Sequence, residues 1–149
     1  MARNKFTLTN SAEVALTAAT AKTALQVVAA AANIIAIQGV SVSFDGVTAT
    51  DAPVVCQIWR QTGAGTSSAR TPVKTTDRAS ALLATGRENC TVEPASDDAL
   101  LDTFECHPQS GITKFYGDAE FEVPASGRVG VKLTAPANVN VLVTLHCEE

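Results

Sequence analysis

The chain has 149 residues, 46% of them hydrophobic and only 17% charged, with a formal net charge of −4. That length suits one domain with one core, and the low charge suits a surface that buries against partners. The negative balance, with no run of more than two basic residues, argues against a nucleic-acid footprint, and the longest apolar stretch, Ala24 to Ile37, is too short and too interrupted by Gln26 and Asn33 to span a membrane.

Met1 to Asn10 reads as an extended arm, with Phe6 and Leu8 alternating against Lys5, Thr7 and Thr9. Such an arm adds a strand to a neighbouring subunit or frays. Its basic residues have no apolar run behind them, so no signal peptide is expected and the protein is read as made in the cytoplasm. Ser11 to Ala32 carries two opposed signals. Alanine content and an Asn10–Glu13 capping pair favour helix. Thr17, Thr20, Thr23, Val27 and Val28 are β-branched, and no apolar stripe recurs at helical spacing. Two extended segments, about Glu13 to Thr17 and Thr23 to Ala30, are the preferred reading. Ile35 and Ile37 alternate, as do Val40, Val42 and Phe44, and Gly39 between them marks a bulge that shifts the phase. Asp45-Gly46 reads as a turn.

Val54, Cys56 and Ile58 form the inward face of the next strand, with Val55, Gln57, Trp59 and Gln61 outward. Thr62 to Ser68 (TGAGTSS) reads as a flexible loop tip. Arg70 to Lys74 suits a short strand, and Arg78 to Ala84 suits a helical turn. Cys90 and Val92 precede a loop at Pro94 to Asp98, from which the chain returns as a strand ending at Cys106. His107 to Gly111 (HPQSG) is a turn, followed by short strands at Ile112 to Tyr116 and Phe121 to Val123. The last quarter is the clearest part. Val129, Val131 and Leu133, then Val139, Val141, Val143 and Leu145, keep period two around a Pro/Asn break. Leu133 faces Val139 and Val129 faces Val143, whether the strands pair or look across two sheets. The sum is an all-β chain: an N-terminal arm over 1–10 and one antiparallel β-sandwich, a single jelly roll, over 11–149.

No residue set for catalysis is expected. His107 and His146 are the only histidines, and no G-x-S-x-G elbow or P-loop occurs. Cys106-His107 and His146-Cys147 are adjacent pairs on strands, pointing to opposite faces, so no metal site and no cofactor are expected. The four cysteines fall on the apolar phase and read as buried thiols. Cys90 and Cys106 have a second reading. If their strands form a hairpin around Asp97 and Asp98, they share a face and can close a disulfide. Trp59, outward among glutamines, reads as an interface anchor or as a side chain covered by its own loops.

The stretches TLTNSAEVALTAATAKTALQVVAAAANIIAIQGVSVSFDG, APVVCQIWRQTGAGT, HPQSG and GRVGVKLTAPANVNV resemble a family of small β proteins encoded beside the capsid genes of tailed phages. The likeness runs from about Thr7 to the C-terminus and is weakest between Thr75 and Glu88. It implies a decoration protein that binds major capsid protein on the virion exterior, as a single jelly roll forming a homotrimer. The expected contacts are the arm (Phe6, Leu8), Trp59, the loop at Thr62, Gly63 and Gly65, and the turn at His107 and Gln109. The alternative is a carbohydrate- or receptor-binding module, for which Trp59 and Tyr116 would be the aromatics. The glycine-rich and acidic motifs of trimeric dUTP pyrophosphatases are missing.

Overall fold

A computed structural model describes residues 3–45 and 52–149. Two antiparallel sheets pack face to face with no α-helix among the described residues. Sheet I contains β1 (Lys5–Thr9), β2 (Val14–Leu16), β4 (Ile35–Phe44), β7 (Val73–Lys74), β10 (Ile112–Phe115), β11 (Phe121–Val123) and β13 (Val139–Glu148). Its path is β10-β4-β13-β1-β7, with β11 also on β4 and β2 also on β13. Sheet II contains β3 (Ala21–Val28), β5 (Val54–Gln61), β6 (Thr66–Arg70), β8 (Thr85–Val92), β9 (Ser96–Cys106) and β12 (Arg128–Thr134), in the order β6-β8-β3-β12-β5-β9. The β-sandwich expected from the sequence is thus the fold.

No two consecutive strands among those described are hydrogen-bonded neighbours. The two valine series therefore do not pair. β12 lies between β3 and β5, whereas β13 lies between β4 and β1. Each turns its apolar phase inward, so Val129, Val131 and Leu133 in one sheet and Val141, Val143 and Leu145 in the other fill one core. Asp45 leads out of β4 toward a strand of the opposite sheet, so the Asp45-Gly46 turn closes no hairpin; Gly46 lies outside the described residues. The bulge at Gly39 is present. His146 pairs with Gly39 and Cys147 with Ile37, which leaves Gln38 as the extra residue.

Two expectations need correction here, and one open choice is decided for its preferred reading. The first ten residues are not a free arm. β1 runs between β13 and β7, and Phe6 (1% exposed) and Leu8 are core side chains. Alternation marks a half-buried strand and is silent on which chain covers it. Asn10 caps no helix, because β2 and β3 are the extended segments preferred above. Its amide instead bridges the sheets, donating to Ala24 O at 2.8 Å and accepting from Val143 N at 2.9 Å. Residues 75–84 hold no helical turn. The Glu149 carboxylate accepts from Leu83 N (2.8 Å) and Ala84 N (2.9 Å), and Lys74 Nζ donates to the carbonyls of Arg78 and Ser80. These bonds satisfy a segment that has no strand neighbour.

Carboxylates stitch the fold elsewhere too. Glu88 accepts from Ser11 N (2.7 Å) and Ser11 Oγ (2.5 Å), and Glu93 accepts from Thr23 N (2.6 Å) and Thr23 Oγ1 (2.8 Å). One open side of the sandwich is closed by Asp102 of β9, which receives Lys114 Nζ at 2.7 Å and the Tyr116 hydroxyl at 3.0 Å. Burial, then the neighbouring Asp102 charge, pushes the Tyr116 phenol up. On the other side, Arg70 Nε donates to Thr9 O at 2.5 Å. Both sheets are thereby latched at their rims.

Candidate docking surfaces

The residues singled out from the sequence do not gather on one surface. Phe6 and Leu8 are spent on the core and present nothing to a partner. Thr62, Gly63 and Gly65 stand at the Gln61 end of β5, while His107 and Gln109 stand beyond Cys106, which pairs with Val54 at its other end. A strand of eight residues separates them, about 25 Å at ~3.3 Å per residue.

TGAGTSS is not a flexible tip. Thr62 N and Gly63 N both donate to Ala95 O, at 2.8 and 3.3 Å, and Thr66 onward is strand β6. Gly65 turns at φ +60°, where a Cβ would lie 2.2 Å from Val92 O, so glycine alone fits. Beneath this loop, Gln26 Nε2 donates to Gln61 Oε1 (2.6 Å) and Gly63 O (3.2 Å), and Gln61 Nε2 donates to Thr23 Oγ1 (3.0 Å). The loop is a rigid cap on sheet II. HPQSG is the expected turn: His107 O accepts from Ser110 N and Gly111 N, and His107 Nδ1 accepts from Gln109 N at 3.2 Å.

Cys90 and Cys106 are free, and the disulfide reading is overturned by strand order. β8 and β9 are four positions apart in sheet II, with β3, β12 and β5 between them. That is about 19 Å at ~4.8 Å per strand, far beyond disulfide reach. Burial raises all four thiols, Cys56 to about 12 with the nearby Cys106 adding to the effect. Among the described residues no three His, Cys, Asp or Glu side chains converge as a metal site.

Two faces remain. On the outer face of sheet II, Trp59 is half-buried and stands in register between Gly130 and Leu100. On one side the Gln61 amide lies over Gly130, 2.2 Å from where a Cβ would stand, and on the other Leu100, 39% exposed, extends the apolar surface. The indole Nε1 donates to Gln57 Oε1 at 3.1 Å, which holds the ring along its own strand. Gln57 pairs with Lys132 and Thr103, and Val55 with Thr134 and Glu105, so the patch is an aromatic anchor with a polar border.

The outer face of sheet I differs. One cross-strand row reads Thr9–Thr144–Ser41–Thr113 and the next reads Val73–Thr7–His146–Gly39–Phe115. Thr9 and Thr144 hydroxyls lie 3.1 Å apart, Thr113 Oγ1 donates to Ser41 Oγ at 3.1 Å, and Ser41 Oγ is 3.1 Å from His146 Nε2. Partial burial lowers the His146 pKa, favouring the neutral ring. The Phe115 ring lies 5.3 Å from the His146 ring and covers Gly39, where a Cβ would come within 2.6 Å of it. Sequence reasoning missed this face because its rows run across four and five strands that are distant in the chain. Tyr116, the other aromatic weighed above, is tied to Asp102 and packed on Phe121 at 4.5 Å.

No family model, curated protein or solved structure matches this chain.

Proposed function

We propose that this chain is a non-enzymatic structural protein that decorates and stabilises a tailed-phage capsid, seating the outer face of sheet II on major capsid protein. The observation that carries the reading is the Trp59–Leu100 patch. A large aromatic is held by its own strand neighbour, flanked by an exposed leucine and bordered by polar groups that include Lys132 and Glu105. Hot spots of protein interfaces have this make-up, and prior immobilisation of the ring lowers the entropy cost of docking. The sequence resemblance to capsid-adjacent β proteins supports the same reading. Repetition as a homotrimer would multiply modest contacts into avidity.

The test is co-sedimentation with expanded heads built from the major capsid protein of the phage that would encode it. Wild type should pellet with heads. Trp59→Ala with Leu100→Ser should weaken binding at least about tenfold, equivalent to 1.4 kcal/mol, with an unchanged melting curve. Wild type left in the supernatant at every head concentration would refute capsid decoration, and full binding by the double variant would move the contact elsewhere.

A further inference from the structure

We propose that the outer face of sheet I is a binding site for a neutral polysaccharide, with Phe115 as its stacking platform and the Thr9–Thr144–Ser41–Thr113 row as its polar rail. The inference uses the face opposite the Trp59 patch and does not depend on capsid docking.

The face carries a trough of about 510 Å³ bounded by Thr9, Ser41, Ser43, Ser110, Thr113 and Thr144, with Leu142 as its one exposed apolar wall. That volume lies within the range of small-molecule sites, about 300–1,000 Å³. Its lining contains no charged side chain. The charges sit at the margins: the Arg70 guanidinium, bonded to the Thr9 backbone oxygen at the β1 end of the row, Lys5 and Glu148 beyond the Phe115 row, and Asp45, bonded to Asn140 at 2.7 Å, on the opposite side. An anionic or cationic ligand would find no counter-charge in the trough and would lose hydration uncompensated. The hydroxyls of the row already bond one another and His146, and a purely apolar partner would leave their remaining lone pairs unmet. A ligand suited to this lining is uncharged and both donates and accepts at close intervals along its length. It also has apolar C–H surface to lay on a ring. A chain of neutral sugars has those properties. Hydroxyls on neighbouring strands repeat at about 4.8 Å, close to the length of one sugar ring.

Phe115 supplies the apolar half from the next cross-strand row, two residues along β10 from Thr113 and beside the trough, not in its lining. It is 65% exposed, yet its ring rests on Gly39 and against His146. An exposed aromatic already fixed by its supports loses little rotamer freedom when a ligand stacks on it. Gly39 has a positioning part here: any side chain at that place would lift the ring.

Affinity electrophoresis of the purified protein in gels containing dextran, amylose or galactomannan, with alginate as the acidic control, tests the site. At least one neutral polymer should retard the wild type and alginate should not. Phe115→Ala should raise the dissociation constant at least about tenfold, and Ser41→Ala with Thr113→Val should weaken binding as well. Both variants alter exposed or half-exposed positions, and their melting temperatures should match the wild type. Trp59→Ala should bind sugar normally, which separates this site from capsid docking. Migration unaffected by all three neutral polymers, equal retardation of the Phe115 variant, or loss of head binding on Phe115→Ala would each overturn the proposal, the last by making the face a protein interface.

Discussion

Single side chains in this protein often do something other than what their sequence neighbourhood suggests. Asn10 looks like a helix cap and is an inter-sheet bridge. Replacing it with Ala strands Ala24 O and Val143 N in the interior, at about 1–3 kcal/mol per group. Urea denaturation should show that loss as a lower midpoint with an unchanged slope. His146 reports on pH. Its folded pKa is depressed by burial relative to 6.5, so the unfolded chain binds more protons in the interval between the two values. Stability therefore rises with pH through that interval, is complete above about 6.5, and declines as the solution is acidified. The melting temperature should fall between about pH 7 and 5 more steeply for wild type than for His146→Gln. The thiols give a simpler check. All four are buried and free, so a thiol reagent without reductant should label none quickly in the native state and all four in denaturant. Two non-reactive cysteines in the unfolded chain would restore the disulfide.

At the scale of strands, period two fixed which residues point inward and left their neighbours undetermined. Val129 to Leu133 and Val139 to Leu145 were legible as core-facing series from spacing alone. Their assignment to opposite sheets was not, because alternation reads the same for a paired hairpin and for a strand that crosses the core. The β-branched residues from Thr17 to Val28 outweighed alanine propensity for a physical reason: that segment buries Leu25 and Val27 under sheet I, and packing overrides a weak local preference. Trp59 was legible as an outward aromatic, but neither outer face could be read from the chain, since the Trp59 patch needs β12 and β9 on either side and the hydroxyl row needs four strands. β1 is where the difference has the greatest consequence. Deleting residues 1–10 removes Phe6 and Leu8 from the core and exposes the edge of β13. Leu8→Ala alone should cost about 2–5 kcal/mol, and the deletion should yield an unfolded or aggregating protein, readable by circular dichroism and gel filtration. A deletion variant that melts like the wild type would return this segment to the status of an arm.

For the molecule as a whole, the two sheets are closed at their rims by unlike devices, the Asp102–Lys114–Tyr116 cluster on one side and Arg70 on the other. This leaves two broad faces and two loop-bearing ends as contact surfaces. Multi-angle light scattering should give the mass of three chains if the proposed homotrimer forms; one 15.4 kDa chain at micromolar concentration would count against it. The lack of pairing between consecutive strands also places nearly every sheet contact between distant parts of the chain. Such topologies close large loops before they gain contacts, so refolding should fall in the slow range of about milliseconds to seconds.

The position of β13 has one more effect. Of the strands described it is the latest in the chain and the centre of sheet I, where it holds β4, β2 and β1 in place. While the ribosome is still translating residues 139–148, that sheet has no middle, and Phe6, Leu8 and Ile35 wait uncovered on the nascent polypeptide. Chains truncated or stalled before residue 139 should therefore be bound by chaperones or degraded, and sheet I should close only once residues 139–148 have left the ribosome.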